Sequence, residues 1–261
     1  MTMRALALAT VSAIACAASP LAAHTAIAQT VHPANAAVVD YGELNALPDW
    51  RGMWLPNMGS PLNVSEEPQL RGEYLEIYEN YLSGASAGGA ATELNFRTSN
   101  CLPPGMPSVM TQPYNLMILF TPGKVTVLQA AYMQVRTIFT DGRALPEDPD
   151  PAFNGHSVGH WEGDTLVIET IGIKEGTRLG RIGVTHGPDL KITERIHLAE
   201  DDPDLLVVEF TYEDPDALAA PWRQTNTFRR NREWEQIEFI CAENDRNPIG
   251  DDGTTDYLLN E

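Results

Sequence analysis

One carboxylate, Glu194, lies in the middle of a segment that is otherwise apolar at every second position. Residues 190–198 alternate as a β-strand does, so one face carries Leu190, Ile192, Glu194, Ile196 and Leu198. Four of these five residues are apolar, which predicts that the face points into a core or an apolar cavity. A carboxylate there must be paired, hydrogen-bonded or protonated, because burying an unpaired charge is costly. Glu194 is therefore the best candidate for a functional residue.

Two interpretations of Glu194 are open at this point. In the first, the carboxylate pairs with an inward-facing arginine such as Arg136 and contributes only to stability. In the second, Glu194 is an acid or base whose chemistry is tuned by its apolar neighbours. His156 follows a long Pro-rich loop and stands next to Ser157, so it is the second candidate for proton transfer.

Several other polar residues would surround a ligand if their strands present them inward. The segment at 132–137 alternates, with Tyr132, Gln134 and Arg136 on one face. If that face points inward, together with Gln129, the cavity is apolar with scattered hydrogen-bonding groups, as a small, partly oxygenated hydrophobic molecule requires. If it points outward, these residues are ordinary surface. The predicted substrate-binding residues are Tyr114, Tyr132, Arg136, His186 and Asn226.

Metal and cofactor motifs are absent from the sequence. His156 and His160 are four residues apart, but on a strand they lie roughly 13 Å apart, too far for one metal ion. The sequence contains no Walker loop, dinucleotide fingerprint, EF-hand or HExxH motif. We therefore expect neither a metal nor a cofactor.

The N-terminus has the pattern of a secretory signal peptide. Arg4 precedes an apolar run at residues 5–18, and Ala26-Ile27-Ala28 forms a cleavage pattern before Gln29. The apolar run is too short for a membrane anchor. The expected organisation is a signal peptide at 1–28, a flexible tail at 29–48 and a single domain at 49–261, in the periplasm or outside the cell.

The charge of the chain bears on its binding partners, and its cysteine content bears on the compartment in which it works. The chain has 17 basic and 36 acidic residues, a net charge of −19, so nucleic acid and anionic membrane surfaces are poor partners. Cys101 and Cys241 are the two cysteines that remain after signal cleavage, and we expect them to form a disulfide in an oxidising compartment. Insertion into a membrane is not expected, and homo-oligomerisation is left open.

Secondary-structure signals favour an all-β fold. Residues 65–83 have helical spacing of apolar residues, with Ser65 as the cap. From Tyr114 onwards, short alternating runs separated by turn signals predict about eight strands, the last at 235–241. The sequence therefore predicts an antiparallel meander closing into a β-barrel, with one N-terminal helix.

Two resemblances bear on this fold. Residues 154–170, NGHSVGHWEGDTLVIET, resemble the hallmark of a family of exported bacterial proteins of unassigned function. The match covers roughly residues 100–245 and extends to further motifs at 140–143, 193–195, 214–215, 221–222 and 241–244. It implies common ancestry and no particular chemistry.

The second resemblance is to lipocalin-like barrels. Gly52-Met53-Trp54 is similar to their Gly-x-Trp motif, in which the tryptophan plugs one end of the barrel and an arginine from a late strand covers it. The resemblance implies that Arg229 or Arg230 could serve in that role. This resemblance implies a lipocalin-like barrel.

Three functional hypotheses follow. The first is a cofactor-free enzyme that binds a small aromatic or terpenoid-like molecule and catalyses elimination, hydration or isomerisation. Glu194 and His156 would transfer protons, and Tyr132 and Arg136 would polarise a carbonyl or hydroxyl. The alternative is a non-catalytic binding or carrier protein that uses the same cavity. The third is a structural envelope protein, which the inward polar residues disfavour.

Overall fold

The computed structural model of the protein describes residues 41–83, 101–179 and 184–241. Within these ranges the chain forms one α-helix, three short 3-10 helices and ten β-strands. The predicted signal peptide, residues 1–28, and residues 29–40 of the predicted tail lie outside the described residues. No helix in the described part of the chain is both long and apolar enough to cross a membrane.

The helix α1 is Gly72–Leu82, and the 3-10 helices are Tyr41–Ala46, Ser108–Met110 and Ala131–Met133. The strands are β1 (Met53–Pro56), β2 (Val64–Ser65), β3 (Leu116–Thr121), β4 (Lys124–Gln129), β5 (Gln134–Phe139), β6 (His156–Glu162), β7 (Thr165–Ile171), β8 (Lys191–Ala199), β9 (Asp202–Glu213) and β10 (Trp222–Asn231).

Nine strands close into a barrel. The sheet order is β1-β3-β4-β5-β6-β7-β8-β9-β10, and β1 also pairs with β10, while the two-residue β2 adds to β10 outside this ring. The predicted all-β barrel with one helix is confirmed.

The sheet is not wholly antiparallel, however. β5 and β6 pair in parallel, with Ile138 opposite Ser157 and Phe139 opposite Val158. The connection between them, residues 140–155, is long enough for the crossover of about a dozen residues that a parallel pair needs.

The core inside the barrel is formed by alternate residues of the strands, because successive side chains of a strand point to opposite faces. The inward apolar side chains are buried, and they include Leu116, Ile118, Val125, Val127, Ile138, Leu166, Ile168, Ile192, Ile196, Leu206, Val208 and Phe210. At one end of the interior, Trp50, Phe120 and Trp161 pack together with ring centroids 5.4–5.5 Å apart.

The predicted helix boundary is wrong at its N-terminal side. The helix begins at Gly72 rather than Ser65, because Ser65 belongs to β2 and lies opposite Gln224 of β10. Leu70 then forms a bridge with Leu218, so pairing with the rest of the chain replaces helical hydrogen bonds before Gly72.

The predicted strand at 235–241 is also wrong, since residues 232–240 form no regular structure. β10 already pairs with β9 on one side and with β1 and β2 on the other, so its edges offer no place for a further strand. Three apolar side chains of this segment, Trp234, Ile237 and Ile240, are exposed. The predicted disulfide is confirmed: Cys101 and Cys241 are bonded, with Cα atoms 5.6 Å apart.

Candidate functional site

A buried ion pair crosses the barrel interior. Glu194 of β8 and Arg136 of β5 have side chains that are 0% and 2% exposed. Arg136 Nη1 donates to Glu194 Oε1 at 2.9 Å, and Nη2 donates to Oε2. Nη2 also donates to Thr170 Oγ1 at 3.0 Å and to Ser157 Oγ at 3.2 Å, and the two hydroxyl oxygens are 2.8 Å apart. These four residues, the barrel network, link β5, β6, β7 and β8.

Strand alternation places the barrel network inside. Glu194 lies between Ile192 and Ile196 on β8, and its cross-strand neighbours are Ile168 and Phe210. Removing both charges from water costs several kcal/mol per ion. A bidentate guanidinium–carboxylate contact, with further hydrogen bonds to the two hydroxyl groups, offsets that cost. Both carboxylate oxygens accept from Arg136, which is the arrangement of an ionised carboxylate. The geometry therefore agrees with the first interpretation of Glu194, in which it forms an ion pair with Arg136.

Three buried polar atoms on neighbouring strands lack a partner among the described residues. They are Gln129 Oε1, Gln134 Oε1 and Arg136 Nε. Gln129 and Gln134 lie opposite each other on β4 and β5, and Arg136 follows Gln134 by two residues on the same face. The Gln129 amide nitrogen is used, since it donates to the Val109 carbonyl. Two free acceptors and one free donor are thus grouped beside the ion pair.

Tyr212 adds a neutral phenol to the same interior. Its hydroxyl donates to Gln224 Oε1 at 3.0 Å, and its ring stacks on Phe210 with centroids 5.8 Å apart. Complete burial, followed by the negative charge of Glu194, raises the pKa of Tyr212 well above its ordinary value of 10. Asn226 lies farther along β10, half-buried and opposite Val208.

His156 does not join the barrel network. It is the residue before Ser157 on β6, so alternation turns its side chain to the outer face of the barrel while Ser157 points inward. His156 Nε2 lies 2.8 Å from the Asp150 carbonyl oxygen. The two predicted proton-transfer groups, Glu194 and His156, are therefore on opposite sides of the barrel wall.

The other predicted binding residues are dispersed. Tyr114 precedes β3 and is 41% exposed, and Tyr132 occupies a 3-10 turn where it contacts Phe239 at 5.8 Å. His186 is buried in a loop, with Nε2 2.7 Å from Thr177 Oγ1 and Nδ1 2.7 Å from the Gly187 carbonyl. Of the five predicted binding residues, Arg136 and Asn226 lie on the inner face.

Sequence reasoning did not select Ser157, Thr170 or Tyr212 as site residues. The available signal was alternation, since Thr170 shares a strand face with Leu166 and Ile168. A lone polar residue on an apolar face was recognised at Glu194 and overlooked at Thr170.

Trp54 is covered by an arginine from the last strand of the barrel. The Arg230 guanidinium carbon lies 4.5 Å from the Trp54 ring centroid, and its side chain is 1% exposed. Arg230 also lies 3.5 Å from Asp49 and 3.3 Å from Asp204. Arg229 points to the surface, where it pairs with Asp202.

Within the described ranges, no group of three or more His, Cys, Asp or Glu side chains is arranged to hold a metal ion. No protein-family model matches the chain, and no curated protein is significantly similar to it. Both resemblances drawn from the sequence accordingly stay predictions.

Proposed function

We propose that the barrel interior binds a small, neutral, hydrophobic molecule that carries a hydrogen-bond donor and a hydrogen-bond acceptor. The observation behind the proposal is the group formed by Gln129 Oε1, Gln134 Oε1 and Arg136 Nε, which are buried without partners among the described residues. Each buried polar atom without a hydrogen-bond partner lowers the stability of the fold by about 1–3 kcal/mol. Such atoms are rare in folded proteins. A ligand hydroxyl offered to a glutamine and a ligand oxygen offered to Arg136 would recover that free energy.

The ligand is neutral because the local charge is already balanced. Glu194 neutralises Arg136 through two hydrogen bonds, so an anion near Arg136 Nε would also meet the carboxylate charge. The surrounding inward side chains, such as Val127 and Ile138, are apolar and buried. Such walls favour an aromatic or terpenoid-like body with few polar groups.

The geometry favours binding over catalysis. Proton-transfer chemistry needs two groups within reach of one ligand atom. Glu194 is engaged at both oxygens by Arg136, and His156 lies on the outer face. The proposed function is therefore that of a carrier or binding protein rather than a lyase or isomerase. The Cys101–Cys241 disulfide supports the view that it works in an oxidising compartment such as the periplasm.

Calorimetric titration with three matched phenyl compounds tests the proposal. para-Hydroxyacetophenone carries both groups, para-ethylphenol lacks the carbonyl acceptor, and para-methylacetophenone lacks the hydroxyl donor. Losing the contact with the charged Arg136 should weaken binding about tenfold to a hundredfold. Losing the contact with a neutral glutamine carbonyl should weaken it about twofold to tenfold.

Two variants assign these losses to residues. In Arg136→Met/Glu194→Leu, para-ethylphenol should bind as well as para-hydroxyacetophenone. In Gln129→Met/Gln134→Met, the penalty for para-methylacetophenone should disappear while the penalty for para-ethylphenol stays. If the wild-type protein binds none of the three, or binds all three equally, the barrel-ligand proposal is wrong.

A further inference from the structure

A cleft lies outside the barrel wall. It has a volume of about 640 Å³ and lies between the Pro-rich loop at 147–151, residues 171–175 at the end of β7 and just after it, and residues 188–190 before β8. The apolar residues that line it are three prolines and Ile171, Ile173 and Leu190. The barrel network is on the other side of the wall, because Thr170 points inward and Ile171 is the next residue. The volume falls in the range of small-molecule sites, roughly 300–1,000 Å³.

The cleft carries an excess of negative charge. Four carboxylates line it, from Glu147, Asp148, Glu175 and Asp189, against the single cation Lys174. None of the four carboxylates makes an ion pair with a described residue. The Lys174 ammonium lies 5.0 Å from the Phe153 ring centroid. Apolar residues and acidic residues without an ion pair among the described residues therefore line the same cleft.

The loop that forms one wall is fixed in place. Gly172 has φ +64°, and a Cβ there would lie 2.8 Å from Pro149 and 3.1 Å from His156, so glycine permits the close approach. His156 Nε2 holds the Asp150 carbonyl at 2.8 Å. The Ala152 amide donates to the Gly172 carbonyl at 3.0 Å, and the Lys174 amide donates to the Ala152 carbonyl at 2.9 Å. A cleft held in this way does not have to be ordered at the moment of binding.

We infer that this cleft binds an organic cation with an apolar body, of about the size of an aromatic amine. The prolines and aliphatic side chains would cover the body, and the carboxylates would attract the ammonium. The described residues include no set of three ligands close enough for a metal ion, so a bulky cation fits better than a bare one. The inference is independent of the barrel ligand, and it gives the outward-facing His156 a supporting role, since His156 anchors the loop.

Nuclear magnetic resonance titration of the full chain tests this site with phenethylamine, phenylethanol and phenylpropionate, which differ in charge. Phenethylamine should shift the backbone amides of residues 171–175 and 189–190. Its affinity should exceed that of neutral phenylethanol at least threefold at low salt, and the difference should shrink as salt is added. Phenylpropionate should bind most weakly of the three.

A carboxylate-neutralised variant provides the decisive comparison. Each exposed carboxylate should raise the affinity for the ammonium about 1.4-fold to 5-fold. Glu175→Gln/Asp189→Asn should therefore weaken the binding of phenethylamine by about twofold to 25-fold and leave the binding of phenylethanol unchanged. The matched control, Glu209→Gln/Glu213→Gln on β9, changes the net charge by the same amount and should leave the binding of phenethylamine unchanged.

Two further measurements distinguish this site from the barrel site. His156→Ala releases the loop, so it should weaken the binding of phenethylamine and of phenylethanol to the same extent. Binding of para-hydroxyacetophenone should be the same in all of these variants. Equal affinity for the amine and the alcohol, amide shifts away from the cleft, or an unchanged amine affinity in Glu175→Gln/Asp189→Asn would overturn the inference.

Discussion

Arg136 reaches across the barrel from β5 and binds both carboxylate oxygens of Glu194 on β8, a strand that is not its neighbour. The contact lies beside one of the two shortest backbone pairings in the ring, since β5 and β6, like β1 and β3, share only two residue positions. Arg136 also donates a hydrogen bond to Ser157 of β6. The barrel network thus supplies cross-strand contacts where the hydrogen-bond ladder between β5 and β6 is short.

Replacing Glu194 with glutamine should destabilise the fold. Glu194→Gln keeps the side-chain size but leaves the Arg136 charge buried and uncompensated, which should lower the free energy of unfolding by about 3–5 kcal/mol. Urea denaturation measures the change. Glu213→Gln, an exposed carboxylate on β9, is the control and should stay within about 0.5 kcal/mol of the wild type. Equal stability of the two variants would contradict a buried charge pair.

Removing both charges together should be far less harmful than removing one. In Arg136→Met/Glu194→Leu no buried charge is left, and the Ser157 and Thr170 hydroxyls keep their mutual hydrogen bond at 2.8 Å. The free energy of unfolding should return to the wild-type value or exceed it by about 1–4 kcal/mol. The same denaturation experiment checks this. A double variant as unstable as the sum of its single variants would show that the two side chains do not act as a pair.

Tyr212 should make stability fall at alkaline pH. Burial and the Glu194 charge raise the pKa of Tyr212 in the folded state, whereas in the unfolded state it is near 10. Its contribution is therefore complete below about pH 10 and declines above that, by up to about 1.4 kcal/mol per pH unit. Unfolding free energies between pH 8 and 11 should show a shallower decline in Tyr212→Phe than in the wild type. Tyr114→Phe, which alters an exposed phenol, should follow the wild-type curve.

Two adjacent arginines of β10 should differ sharply in importance. Arg230→Leu removes a buried guanidinium from the Trp54 ring and from the Pro203 carbonyl, and should cost about 1–3 kcal/mol. Arg229→Leu removes only a surface pair with Asp202 and should cost less than about 1 kcal/mol. Thermal unfolding of the two variants, followed by tryptophan fluorescence, compares them. A larger loss for Arg229→Leu would reverse the assignment of the residue that covers Trp54.

Features of the fold encoded by local patterns were predictable from the sequence. Alternation at 190–198 indicated that Glu194 faces the core, and the two cysteines outside the predicted signal peptide indicated the Cys101–Cys241 bond. Arg136 was named as a possible partner for Glu194 because a buried carboxylate needs a cation, but the face of its strand that points inward was left open.

Features that depend on distant parts of the chain were not predictable. Ser65 has the residue type of a helix cap, but β10 recruits it into a strand pair. The parallel pairing of β5 with β6 depends on the path of the loop at 140–155. The juxtaposition of Gln129 and Gln134 depends on the register between β4 and β5, and the outward position of His156 depends on which face of β6 the barrel closes over.

The most direct test of the central claim observes the side-chain N–H of Arg136 itself. In a nitrogen-15 spectrum of the arginine Nε–Hε groups, the Arg136 resonance is identified by its loss in Arg136→Met/Glu194→Leu. Titration with para-hydroxyacetophenone should shift this resonance downfield, as expected for a new hydrogen bond, and para-ethylphenol should leave it nearly unmoved. An Arg136 resonance that does not respond to para-hydroxyacetophenone, or responds equally to both compounds, would contradict binding at this atom.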